Sequence, residues 1–228
     1  MTNIKAIITS RVRLVLLCSL AVLALGGVTS TSASAACEAK SASWCIGGKV
    51  FEGEETYSSV GKTFTLSTTI AGEPITLECT TETGGGTIKA GNDGVNFNRY
   101  GGSKTCKTSL AACGVAEPIE SAILTSQLTT AGGKVYHIFK RESGSLATIT
   151  ITGATCVLKG KYEVFGQGCS EIGPEAVALK WKFSKSIEEA CKTELKFGGK
   201  EGPKATLTGE STQELIGKEK GKTWGAAP

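Results

Sequence analysis

The chain has 228 residues, 30 of them glycine, with 6% aromatic residues and a formal net charge of +4. Lys5, Arg11 and Arg13 lie in a leading stretch without Asp or Glu, so the remainder sits at about +1. That excludes an electrostatic nucleic-acid binder, which needs a basic stripe to displace counterions, while abundant glycine and threonine favour strands and tight turns.

The first 36 residues read as a signal peptide. Lys5, Arg11 and Arg13 form a positive start, Leu14 to Val28 is apolar, and Ala33-Ser34-Ala35-Ala36 is a small-residue processing site, with cleavage after Ala35 or Ala36. A spanning helix needs roughly 20 apolar residues, and this run is shorter, so no transmembrane segment is expected once the leader is removed. Lipid attachment at Cys37 fits poorly, because Ser34 stands where an aliphatic residue belongs. The expected location is secreted or extracellular surface, with residues 37–228 as a single β-rich domain. A division into two β subdomains near 144–146 is the alternative.

Removing Cys18 with the leader leaves Cys37, Cys45, Cys79, Cys106, Cys113, Cys156, Cys169 and Cys191. An even count in an exported chain implies disulfides, although about a hundred pairings are open to eight cysteines. Cys37 and Cys45 would close a short loop that ties down the N-terminus, ahead of a short strand at Lys49 to Phe51. Phe64, Leu66 and Ile70 then alternate with Thr65, Ser67 and Thr69, and after Gly72 and Pro74 the residues Ile75, Leu77 and Cys79 alternate with Thr76, Glu78 and Thr80. Period-2 patterning between turn residues predicts antiparallel strands with one buried face. Gly84-Gly85-Gly86 reads as a hairpin turn and Asn92-Asp93-Gly94 as another. Val95 to Tyr100 is a strand on which Val95 and Phe97 share a face. Gly101 to Gly114 is a loop across which Cys106 and Cys113 would pair.

Ile119 to Thr130 suits a helix by spacing but is read as a strand, because its Thr-rich end turns directly into Val135 to Arg141. Leu146 to Gly153 follows, and a bulge near Gly153 would return Cys156 to the core as a partner for Cys79. Tyr162 and Val164 continue the meander, and Cys169 to Pro174 is a loop. Val177, Leu179, Trp181 and Phe183 mark the clearest half-buried strand. Ser186 and Glu189 form a capping box for a helix over Ile187 to Leu195, which sets Cys191 near Cys169. Ala205 to Thr208 and Glu214 to Ile216 are closing strands, and Lys218 to Pro228 an exposed basic tail holding Trp224. The fold expected is all-β: an antiparallel sandwich or barrel-like meander with at most one short helix, stapled by disulfides.

Thr76-Leu77-Glu78-Cys79-Thr80 before a glycine-rich turn, the Cys106 to Cys113 loop before Pro118-Ile119, the late strand with Cys156, and Gly221-Lys222-Thr223-Trp224-Gly225 stand out together. On these residues the chain resembles a group of exported, β-rich, cysteine-containing bacterial proteins of unknown function. The resemblance implies the pairings Cys79–Cys156 and Cys106–Cys113, with Cys169 and Cys191 as additions, and it implies no activity.

Catalytic constellations are missing from the pattern. His137 and Asp93 are the only residues of their types; one sits mid-strand beside Val135 and Phe139 and the other in a tight turn, so no Ser-His-Asp triad is expected. No cofactor or metal site is expected either, for histidines and clustered carboxylates are too few. Gly61-Lys62-Thr63 and Gly221-Lys222-Thr223 lack the earlier phosphate-loop glycine, Thr56 and Ile216 standing in its place. Trp181 belongs to the apolar stripe, and Trp44 and Trp224 read as packing or tail residues. The functional expectation is a secreted, non-enzymatic protein for binding, adhesion or extracellular structure, with an extracellular partner or glycan. The alternative is a secreted glycosidase-like hydrolase using two of Glu54, Glu55, Glu78 and Glu163. An inhibitor or toxin presenting the Cys106 to Cys113 loop is a third possibility.

Overall fold

The computed structural model describes residues 37, 39–70 and 72–228; the expected leader and its expected cleavage site lie outside these residues. The strands are β1 (Ser43–Ile46), β2 (Lys49–Val50), β3 (Glu54–Ile70), β4 (Glu73–Cys79), β5 (Glu82–Lys89), β6 (Asp93–Tyr100), β7 (Cys106–Thr108), β8 (Gly114–Val115), β9 (Ile119–Glu120), β10 (Leu124–Ala131), β11 (Lys134–Lys140), β12 (Ala147–Thr152), β13 (Gly160–Ile172), β14 (Ala178–Phe183), β15 (Leu195–Phe197), β16 (Lys204–Leu215) and β17 (Trp224–Ala227). Among the described residues the one α-helix is α1 (Lys185–Cys191), between β14 and β15. The fold is therefore all-β and antiparallel, as the alternation predicts.

Strand β3 organises the rest. Ile70 faces Glu73, Phe64 faces Cys79, Gly61 faces Glu82 and Glu54 faces Lys89, so β4 and β5 behave as one strand interrupted at Thr80 and Thr81. On its other side β3 pairs with β16 from Tyr57–Leu215 to Thr68–Ala205. That last pairing closes a ring in the order β3-β5-β6-β10-β11-β13-β14-β16 and back to β3. A closed ring leaves no free strand edge.

A second set of strands uses the other halves of the same long elements. It runs β7-β4-β3-β16-β15-β13-β12-β8, and no ladder joins β7 to β8. Where the two sets meet, each shared strand has a residue with positive φ: Thr63 (52°) in β3, Gly166 (101°) in β13 and Gly209 (156°) in β16. The β3–β16 register shifts at Gly209, and the inward face of β3 changes from Tyr57 and Ser59 to Phe64 and Leu66. Such bulges let one strand serve two differently aimed walls. The sheet β17-β1-β2 covers one part of the first ring, bringing Trp44 and Trp224 against Tyr57 with ring centroids 5.9 Å apart for the two tryptophans and 5.6 Å for Trp224–Tyr57.

Four disulfides form, and two of the expected pairings are corrected. Cys37–Cys45 and Cys169–Cys191 are present. Cys79 bonds Cys106 rather than Cys156, and Cys113 bonds Cys156 rather than Cys106. The reason is that the segment 101–114 is not one loop. Its short strands join different neighbours, β7 pairing with β4 so that Cys106 lies opposite Cys79, and β8 pairing with β12. No bulge carries Cys156 inward; β12 ends at Thr152 and Cys156 is buried in the following loop.

Other local expectations also change. Gly84, Gly85 and Gly86 lie inside β5, paired on both sides. A Cβ at Gly86 would stand 2.0 Å from the Val95 carbonyl oxygen and one at Gly85 2.5 Å from that of Tyr57, so glycine here permits a close backbone approach. Cys169 to Ile172 extends β13 instead of looping. Helix α1 is capped by Ser184, whose Oγ accepts from Ile187 N at 3.4 Å, and it ends at Lys192 in the left-handed region; Leu195 then joins the sheet. Ala205 to Leu215 is one strand, and Val177 is exposed. Trp224 is fully buried and pairs through β17 with β1, so the C-terminal segment is a structural strand and not a tail. Among the described residues no helix is long and apolar enough to cross a membrane.

Candidate functional site

The first ring encloses a polar network that no sequence pattern announced. Glu82 on β5 is 2% exposed, and Ser59 Oγ donates to its two oxygens at 3.1 Å each. Gln213 Nε2 donates to Ser59 Oγ at 3.1 Å and to Ser211 Oγ at 2.7 Å. The Asn98 amide, oriented by its neighbours, donates to Glu82 Oε1 at 3.1 Å. Burial pushes the Glu82 carboxyl up to about 7 against the opposing Ser59 hydrogen bond. Burial, with the charge of Glu82 behind it, also raises the phenols of Tyr57 and Tyr100.

His137 extends the same interior. Its ring lies 4.4 Å from Trp181 and 5.6 Å from Trp44 by centroid. Burial lowers it to about 3, so it is a neutral core residue at ordinary pH, more deeply buried than the strand pattern suggests. Tyr57 Oη, His137 Nδ1, Trp181 Nε1 and Trp224 Nε1 are buried with no hydrogen-bond partner among the described residues. In this interior Trp44, Trp181, Trp224 and Tyr57 pack ring against ring.

The glutamates named by sequence are each engaged locally. Glu54 pairs with Lys89 at 3.7 Å and Glu78 with Lys107 at 2.9 Å. Glu163 accepts from Ser145 Oγ at 3.1 Å. Glu55 is buried and accepts from the Thr56 and Glu219 backbone N–H groups, both at 2.7 Å. The carboxylate that closes segment 101–106 is one that sequence reasoning passed over. Glu117 accepts from Thr105 N at 3.0 Å, Thr105 Oγ1 at 3.1 Å and Cys106 N at 2.7 Å. Burial works against its ionisation, but the hydrogen bonds from Cys106, Thr105 and Gly102 outweigh it and hold the carboxyl below its ordinary value. Among the described residues no group of three or more His, Cys, Asp or Glu side chains is placed to hold a metal ion.

Two hollows remain. A groove of about 390 Å³ crosses the outer face of the first ring over Gly85, between Thr56 and Ser58 of β3 and Val95 and Phe97 of β6, with Ile123 and Ile216 at its margins. Phe97 is 50% exposed, Ile123 75% and Ile216 53%. No charged side chain lines it, and its size falls in the range of ligand-holding clefts. Since β5 is hydrogen-bonded to β3 and β6 on either side, the floor has no free backbone groups for an added strand. Val95 and Phe97 do share a face, as the alternation predicts, but it is the outward one; Asn96 is the buried residue between them. The second hollow is an apolar cavity of about 80 Å³ where the two strand sets meet. Left unfilled, a volume of that size forgoes about 2 kcal/mol of packing.

Comparison of the chain with protein-family models, with curated proteins and with solved structures finds no match in any of the three.

Proposed function

We propose that the protein is exported and acts outside the cell as a non-enzymatic binding protein, docking an apolar protein surface in the groove over Gly85. The observation that carries this is the meeting of Phe97, Ile123 and Ile216, all solvent-exposed, around one uncharged cleft. Contiguous exposed apolar surface marks interaction sites, and aromatic anchors dominate binding energy at such surfaces. The apolar lining favours a protein over a glycan, whose hydroxyls need polar partners. Four disulfides are compatible with an extracellular setting.

Surface proteins of the producing cell, immobilised and probed with purified protein, supply the test. The double variant Phe97→Ser/Ile123→Ser is expected to lose at least about tenfold in affinity with an unchanged melting temperature, and binding is expected to be nearly indifferent to salt. Equal binding by variant and parent, or binding abolished by moderate salt, would overturn the groove reading. Mass spectrometry of secreted material should find an N-terminus at Ala36 or Cys37; a cell-retained chain with its leader intact would refute export.

A further inference from the structure

The cavity between the two strand sets differs in kind from the groove and is argued independently of it. Its wall draws Leu77 from β4, Ile149 from β12, Leu124 from β10 and Phe139 from β11, with Phe64 and Leu207 from the shared strands β3 and β16. Nearly every one of these is buried core. Its polar side chains include Asn98 and Ser121, and both spend their hydrogen bonds on the protein. The Asn98 amide donates to Glu82 Oε1 at 3.1 Å and the Phe97 carbonyl at 3.0 Å. Ser121 Oγ accepts from Asn98 N at 2.8 Å and donates to the Ala122 carbonyl at 2.8 Å. A third, Tyr100, sets its ring edge-on to Phe64, centroids 5.3 Å apart.

We infer that this cavity is a binding site for one small, neutral, apolar molecule, of a size between a monatomic gas atom and a short hydrocarbon. A polar guest would surrender its hydration for an apolar wall whose Asn98 and Ser121 are already engaged. At about 80 Å³ the space exceeds that of one water and is roughly half that of an apolar protein cavity that takes benzene or xenon. A charged or sugar-like ligand is thereby rejected, and so is a long acyl chain.

Xenon is the probe. Titrated into the intact oxidised protein, it should shift the methyl resonances of Leu77, Leu124 and Ile149 saturably, at a stoichiometry of one. Ala147 lines the cavity, so Ala147→Leu should fill it and weaken the xenon response at least tenfold. Val164→Leu, on the same wall, serves if Ala147→Leu does not fold. Leu124→Ala should enlarge the space so that benzene binds the variant but not the parent. Phe97→Ser should leave the xenon response untouched, which separates this site from the groove. No saturable shift in the parent, or a shift that survives in a folded filled variant, would overturn the proposal.

Discussion

The two strand sets share β3, β13 and β16 yet differ in how far they close. The first ring closes by hydrogen bonds alone, through the long β3–β16 ladder, and its interior holds Trp44, Trp181 and Trp224 with the Glu82 network. The second set stops short, leaving β7 beside β8 without a ladder. Its seam is flanked by Cys79–Cys106 and Cys113–Cys156, and Thr108 Oγ1 donates to the Cys113 carbonyl at 3.1 Å. Each bridge staples a pair that is already laddered, β4 to β7 and the β8 end to the β12 end, so sulfur braces the two lips of the seam without crossing it. Strands of two or three residues suffice for the lips of an open seam when a covalent bond holds each to its neighbour.

Removing a seam staple sharpens that contrast most. The bridges span 27 and 43 residues, against 8 for Cys37–Cys45, and loop entropy grows with span. Cys113→Ala/Cys156→Ala is expected to cost about 4 kcal/mol and Cys37→Ala/Cys45→Ala about 2 kcal/mol. Urea denaturation reads both, and equal losses would break the comparison.

The interior of the first ring should reveal itself through pH. Glu82 is raised from 4.5 to about 7, so the folded state holds a proton that the unfolded chain has released. Stability is therefore full below pH 4.5 and declines as pH rises towards 7, by something on the order of 3 kcal/mol. Glu82→Gln should flatten that decline in pH-dependent denaturation, and an unchanged slope would refute the assignment. His137 acts in the opposite sense. It is lowered from 6.5 to about 3, so its contribution is full above pH 6.5 and is lost as pH falls towards 3. Between pH 4.5 and 6.5 the two trends oppose and cancel, so stability from the pair is level there and falls on either side; His137→Gln should remove the fall on the acid side.

Backbone closeness in the first ring gives a smaller effect. Gly86→Ala should cost about 2 kcal/mol, since the added carbon meets the Val95 carbonyl oxygen. On the outer face Phe97→Ser should stay within about 0.5 kcal/mol of the parent. A thermal melt distinguishes the two, and a large loss at Phe97 would mean that the groove is structural.

How much of this could be read beforehand depends on element length. Leu179, Trp181 and Phe183, or Ile75, Leu77 and Cys79, repeat often enough for period-2 patterning to declare a strand and its inward face, and all six are buried. Cys106 to Thr108 and Gly114-Val115 carry no period at all, so the bridges hung on them were misassigned. Gly84 to Gly86 has turn composition but strand conformation, because Tyr57 and Val95 approach where a side chain would stand. Trp224 looked like a tail because its partner, β1, is some 180 residues away in sequence. Glu82 falls on the inward face of β5, which it shares with Gly84 and Gly86, so no apolar alternation marks that face as buried. The groove was illegible for a related reason: Ile123 and Ile216 lie just outside strands, and only tertiary placement brings them to Phe97.

The unbroken register of β3 against β4 and β5 bears on how the molecule assembles. Zipping can start at Gly72, where the chain reverses over a couple of residues, and can run outward to Glu54 and Lys89 before any distant partner exists. Joining Leu66 to Leu207 must instead gather the whole intervening polypeptide. Loop-closure entropy makes the first event fast and the second slow. The long hairpin thus becomes a template, and ring completion by β16 is the late, committing step that turns a ribbon into a vessel.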